Sequence, residues 1–259
     1  MTSLDSQLRL KLSFEERFRR EVRALFNRIR IEYRIGVSTG SRIRASKYES
    51  QWEALLTAHY RRVQNGFRGV VQDNTKQDDQ EIEDLVLAAL IAWAEKNAPE
   101  SAALITNTTQ DNMDDSLIQA RQAFSDEGKT DYTDRELSLV AAAILGRKFR
   151  GREEAIISSE TQGSAESTKL IEAYSIAGLA PIAVVTGEQV PEHRSIKEWN
   201  TVGDERVRSA HRRANGQRVG LDEPYIVNGQ QLMYPGDNSR GATVDNTIHC
   251  RCSAFYIFR

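Results

Sequence analysis

The sequence predicts an α+β protein that is mainly helical, and two observations carry that expectation. Apolar residues recur at steps of three or four through most of the first 175 positions, which is the period of an amphipathic helix. Beyond Pro181 the period shortens toward two, and turn dipeptides appear at Asn228-Gly229 and Pro235-Gly236. The expected architecture is a mainly helical N-terminal arm, then a helical module with a small C-terminal antiparallel sheet.

The first helix is expected from Ser13, where Ser13 and Glu16 form a capping-box signature. Phe14, Phe18, Val22, Leu25, Ile29 and Tyr33 line its apolar face, and Gly36 to Ser41 ends it. Its other face carries Arg17, Arg20, Arg23, Arg28 and Arg30 among scattered acids. A second helix is expected over about 47–71, with Trp52, Leu55, Leu56, Tyr60, Val63 and Phe67 inward and Arg61, Arg62 and Arg68 outward. Residues 73–83 are polar and acidic and read as a connection, after which Leu85, Val86, Ala89, Leu90 and Trp93 mark a third helix.

The texture changes around Asn97-Ala98-Pro99, and shorter helices are expected beyond it. One runs through Met113, Leu117, Ala120 and Phe124, and the next is capped by Thr133 with Glu136. Another starts near Arg152 and continues through Ile156, Glu160 and Ala165, until Gly178 to Pro181 stops helical signals. Ile182 to Val185 is rich in β-branched residues and reads as extended. Ser195 to Thr201 alternates, placing Lys197 and Trp199 on one side and Ile196 and Glu198 on the other. A hairpin is expected at Asn228-Gly229, between Tyr225-Ile226-Val227 and Gln231-Leu232-Met233. This pattern divides the chain into a helical arm, residues 1–96, and a module over residues 97–259.

The bulk numbers narrow the function classes. With 35 basic and 37 acidic residues, the net charge of -2 gives no global attraction to nucleic acid. Any DNA contact must come from a local patch such as the arginines of the first two helices, which can neutralise phosphates without reading sequence. No run approaches the about eighteen apolar residues a membrane span needs, and no signal-peptide pattern opens the chain, so no membrane partner and a cytoplasmic home are expected. The two cysteines, Cys250 and Cys252, are too close to form a disulfide framework, and a reducing compartment follows.

Those cysteines stand in Ile248-His249-Cys250-Arg251-Cys252. With His211 they make a donor set for tetrahedral zinc: His211, His249, Cys250 and Cys252. The spacing is unusual, because zinc knuckles commonly separate their cysteines by two or more residues, and a packed thiol pair near Trp199 is the competing reading. If residues 204–211 are helical, Asp204, Arg208 and His211 share a face and the aspartate holds the arginine. The order His211, Asn228, His249 invites comparison with His-Asn-His nucleases, although the spacing is long for their compact metal unit. Glu160, in a Ser-Glu-Thr run, lacks a visible acidic partner or phosphate cradle and reads as a helix-surface or buried-pair residue.

Taken in order, several blocks resemble the phage Mu F-like head morphogenesis family of minor capsid proteins, over roughly residues 97–259. They are Arg152, Ser159-Glu160-Thr161, Trp199, then Asp204, Arg206, Arg208 and His211, then Gly216, Pro235-Gly236-Asp237 and Cys250-Arg251-Cys252. This chain has His249 where the family usually has asparagine. The resemblance implies a structural protein of a tailed-phage or prophage virion, inside the capsid near the portal vertex and in the host cytoplasm during assembly. It implies the portal protein as partner, with packaged double-stranded DNA and other capsid or scaffold proteins as further contacts. It also implies a role in head assembly, genome packaging or DNA ejection by binding rather than turnover, with no catalytic residue; the possible structural zinc rests on the donor residues alone. The rival is a phage-borne enzyme, a metal-dependent nuclease or a toxin-type transferase such as is sometimes fused to this family. With seven residues after Cys252, no such fusion is expected.

Overall fold

The computed structural model describes residues 4–71 and 80–258. It is mainly helical, with a small antiparallel sheet near the C-terminus. Four long helices come first: α1 (Leu4–Ser38), α2 (Glu49–Phe67), α3 (Gln80–Asp126) and α4 (Asp134–Ile176). A 3₁₀ turn, Ala45–Tyr48, leads into α2. The short helical turn α5 (Ala183–Thr186) precedes β1 (Ile196–Thr201), followed by α6 (Ser209–Ala214), β2 (Arg218–Gly220), β3 (Tyr225–Val227), β4 (Gln230–Leu232), α7 (Val244–Thr247) and β5 (Cys252–Ile257). Among the described residues no helix is long and apolar enough to cross a membrane.

Several boundaries differ from the sequence reading, each for a physical reason. Helix α1 begins at Leu4, and Ser13 is inside it, its hydroxyl donating to the Leu10 carbonyl at 2.7 Å. Residues 4–12 escape the periodicity because their buried face carries Gln7 and Lys11, which are polar. Helix α3 runs through Pro99 without a break, although proline removes one hydrogen bond and crowds the carbonyl four residues back. Ala98, Ala102 and Ile105 are buried on either side of it, and packing of that kind, rather than propensity, supplies most of a helix's stability. Helix α4 likewise joins the two helices expected around 133–145 and 152–173 into one of 43 residues. Its start is the capping box expected: Thr133 N–H donates to Glu136 Oε2 at 2.8 Å, and Glu136 N–H to Thr133 Oγ1 at 3.2 Å. Ala183 to Thr186 is a helical turn instead of a strand, closed by Gly187 at φ 75°. The connection expected at 73–83 lies largely outside the described residues, whereas α3 already starts at Gln80.

The residues fall into two compact units that interleave along the chain. The first draws on Met1–Glu16, Ala58–Lys96 and Ser158–Arg259, and the second on Arg17–Thr57 and Asn97–Ile157. One boundary between the units coincides with the division expected at 96/97, inside α3, but the first 96 residues contribute to both units. In the second unit Phe26 stacks on Phe149 at 4.2 Å and meets Trp52 edge-on at 5.1 Å. Tyr33 there donates its hydroxyl to the Met113 carbonyl at 2.8 Å.

The first unit holds the sheet, in the order β2-β1-β5 with both pairs antiparallel. In its register Trp199 faces Ala254 and Thr201 faces Cys252. Lys197 and Trp199 are the buried side of β1, as alternation predicts. The hairpin β3-β4 turns through Asn228 and Gly229, both at positive φ (52° and 75°), which a type I′ turn requires. One apolar cluster of this unit joins Leu170, Ala173 and Tyr174 of α4 to Leu221, Tyr234, Ala254 and Tyr256. A second gathers Trp199, Ala214, Tyr225, Val227, Leu232 and the two cysteines.

Candidate metal site

Cys250 ends the loop after α7, and Cys252 opens β5. His249 takes a left-handed conformation at φ 53°, which turns the chain into the strand. Both cysteines are buried and free. His211, also buried, is presented by α6, which the chain enters through Arg208 in an extended conformation. His211 Nδ1 lies 3.4 Å from Cys252 Sγ and 3.7 Å from Cys250 Sγ. The three ligand atoms all fall within 4.8 Å of one another, a cluster that can hold a metal ion.

The ring of His211 is fixed by Trp199, which meets it edge-on with centroids 5.5 Å apart, and Tyr225 packs on the other part of the indole at 5.2 Å. His211 Nε2 is buried with no hydrogen-bond partner among the described residues, so the ring is oriented by packing and by its sulfur neighbours. The two thiols act on each other. A hydrogen bond from Cys252 holds the Cys250 thiol well below the usual thiol range, and the same bond with burial pushes Cys252 up.

His249, expected as a fourth ligand, is outside the cluster and exposed. The other half of the nuclease comparison, Asn228, is exposed in the hairpin turn.

The remaining expected positions form turns and ties in the same unit. Asp204 Oδ2 accepts from Arg251 at 2.8 Å, and Asp204 Oδ1 accepts the backbone N–H of the exposed Arg206 at 3.1 Å. Arg208 donates to the Ile248 carbonyl. Gly216, at φ 79°, donates its N–H to the Trp199 carbonyl at 2.7 Å, closing the α6–β2 turn against β1. Gly236 sits at φ 90°, and a Cβ there would lie 2.7 Å from Gln162 Cγ. The Pro235 carbonyl accepts from Gln162 Nε2 at 3.2 Å. The Pro-Gly-Asp block is thus a turn pressed onto α4, fastened by Asp237, whose carboxylate accepts from Met233 N–H and Ser239 N–H at 2.8 and 2.9 Å.

Sequence reasoning missed the residues behind the cysteines. Lys11 Nζ donates to the Cys250 carbonyl at 3.2 Å and to Gln162 Oε1 at 2.6 Å, and Gln162 Nε2 donates to the Cys252 carbonyl at 2.9 Å. Lys169 forms a buried ion pair with Glu166 at 2.8 Å and reaches the Ala254 carbonyl at 3.2 Å and Gln7 at 3.1 Å. Glu166 also accepts the Ala254 N–H at 3.0 Å. The signal available in sequence was polar residues at helical spacing: Gln162, Glu166 and Lys169 at i, i+4 and i+7 in a stretch of α4 whose buried positions are mostly polar, and Gln7 and Lys11 on α1.

Four of the arginines expected to face DNA are engaged within their own units. Arg17 pairs with Glu21 at 3.5 Å, Arg23 holds Glu153 through two bonds of 2.6 and 3.3 Å, Arg28 donates to Gln51 at 2.8 Å, and Arg68 pairs with Glu83. Glu160, half-buried, accepts from Tyr60, between the helix-surface and buried-pair roles expected of it. No family model, curated protein or solved structure matches this chain.

Proposed function

We propose that this chain is a minor head protein of a tailed bacteriophage or prophage, binding the portal protein and acting in head assembly, genome packaging or DNA ejection. The observation that supports the reading is that the C-terminal blocks on which the family resemblance rests lie together in the first unit. His211, Cys250 and Cys252 share one buried cluster beside Trp199, Gly216 bonds the Trp199 carbonyl, Arg208 bonds the Ile248 carbonyl and Asp204 pairs with Arg251, whereas Arg152 belongs to the second unit. A motif of that kind specifies a folded binding module. The ion pairs of Arg17, Arg23 and Arg68 favour a protein partner over packaged DNA. Co-expression with the portal protein encoded beside it tests this directly: the two co-purify at a defined ratio, and a folded chain that fails to associate overturns the reading. A divalent-metal DNA-cleavage assay separates the rival, since cutting that is lost in His211→Ala identifies a nuclease.

Within that reading the cluster holds a zinc ion through three donors, His211, Cys250 and Cys252, one fewer than a closed structural site uses. Tetrahedral zinc, with bonds of about 2.3 Å to sulfur and about 2.0 Å to nitrogen, sets nitrogen-to-sulfur edges of roughly 3.5 Å. The distances of 3.4 and 3.7 Å from His211 Nδ1 match those edges. Elemental analysis of the purified chain tests it, with one zinc per chain expected and none in Cys250→Ser, Cys252→Ser.

A further inference from the structure

Resting on the zinc reading, we propose that metal occupancy is thermodynamically linked to docking of the first turns of α1, residues 4–16, because α1 and α4 hold the metal-binding loop through its own backbone. Four carbonyl or amide groups between Cys250 and Ala254 are engaged by side chains of these helices. The Cys250 carbonyl accepts from Lys11, the Cys252 carbonyl from Gln162, the Ala254 carbonyl from Lys169, and the Ala254 N–H donates to Glu166. The Ser253 hydroxyl lies 3.1 Å from both Gln7 Oε1 and Glu166 Oε1. Gln7, Lys11, Gln162, Glu166, Lys169 and Ser253 are each at most 7% exposed.

Buried polar groups without partners are costly, so this network favours one register of the Cys-Arg-Cys segment over others. In that register both sulfurs face His211. Groups behind the first ligands orient them, and their loss commonly lowers metal affinity about 10–100-fold. Lys11 and Gln162 are such positioning residues, one supplied by α1 and the other by α4. Lys11 also bonds Gln162, so undocking α1 removes the direct hold on Cys250 and loosens the hold on Cys252. Linkage is reciprocal: if docked α1 favours the ion, the bound ion must favour docked α1.

The test uses the full chain with zinc ion alone as probe. Zinc affinity is measured by competition with a chromophoric chelator for wild type, Lys11→Met and Gln162→Leu. Amide exchange over residues 5–16 is followed in wild type with and without zinc. The expected result is a loss of affinity of about tenfold or more in each variant, with slower exchange over 5–16 when zinc is present. The exchange arm needs no substitution, so a poorly folding variant does not remove the test. If wild type binds zinc through His211, Cys250 and Cys252, but both variants match it and exchange is unchanged, the linkage is overturned while the metal site stands. If wild type binds no zinc, the metal reading fails and the linkage with it.

Discussion

Asp204 pairs with Arg251, the residue between the two cysteines, at 2.8 Å, and not with Arg208. Helix α6 begins at Ser209, and Arg208 precedes it at ψ 148°, so Asp204 and Arg208 never share a helical face. Arg208 reaches instead to the Ile248 carbonyl. Two arginines thus tie the 204–208 stretch to the Cys-Arg-Cys loop from opposite sides.

Asp204→Ala tests how much that tie contributes. The two side chains are 40% and 26% exposed, so solvent and salt screen the pair. A cost of about 0.2–1 kcal/mol is expected in urea unfolding at low salt, shrinking as salt is added. Loss of the Arg206 N–H bond adds about 0.5–1.5 kcal/mol that salt does not screen, and a salt-independent loss of several kcal/mol would overturn this account.

Lys197 gives the first unit an alkaline dependence. Its ammonium is buried in β1 against the Leu221 and Met233 carbonyls, both at 2.8 Å, and desolvation pushes its pKa down to about 7 from an unfolded value of 10.5. Between those values the unfolded chain binds more protons than the folded one, so stability rises with pH across this window. Lys197→Met should abolish that rise when urea midpoints are compared at pH 7, 8.5 and 10. A wild-type curve no steeper than the variant's would rule it out.

Glu172 works in the opposite sense at lower pH. It accepts the Gly69 N–H at 2.6 Å, but burial dominates and pushes its pKa up to about 7 from 4.5. The folded chain then binds more protons between pH 4.5 and 7, and the contribution present below 4.5 is lost as pH rises through 7. Glu172→Gln keeps an acceptor for Gly69 and carries no charge. It should flatten the profile in this window and raise the unfolding midpoint at pH 8; a variant less stable than wild type at pH 8 would contradict the assignment.

Much of the fold is legible in the sequence where one physical signal dominates. The faces of α1 and α2 around Phe18, Val22, Trp52 and Leu56 follow from apolar spacing, and the Thr133–Glu136 cap, β1 and the Asn228-Gly229 hairpin follow from local chemistry. The reading fails where tertiary packing overrides local preference, as at Pro99 within α3. It also fails where a buried face is polar, as at Gln7 and Lys11, because periodicity arguments count only apolar residues. The site was half legible: the donor types named His211, Cys250 and Cys252, but the backbone turn that exposes His249 carries no signature in residue type.

Gly236 tests whether the Pro-Gly-Asp turn seats the metal loop through Gln162. At φ 90° the position favours glycine, and an added Cβ would meet Gln162 Cγ at 2.7 Å. Gln162 can yield only by shifting a side chain whose amide bridges the Pro235 and Cys252 carbonyls. Gly236→Ala should therefore cost about 1–3 kcal/mol through backbone strain and crowding together. The two causes separate in Gln162→Ala. There the crowding is absent and only the φ penalty remains, so adding Gly236→Ala to Gln162→Ala should cost less than adding it to wild type. Urea unfolding of the four proteins gives the coupling. Strict additivity would mean that the turn and Gln162 act independently, and that the turn does not position the Cys252 carbonyl.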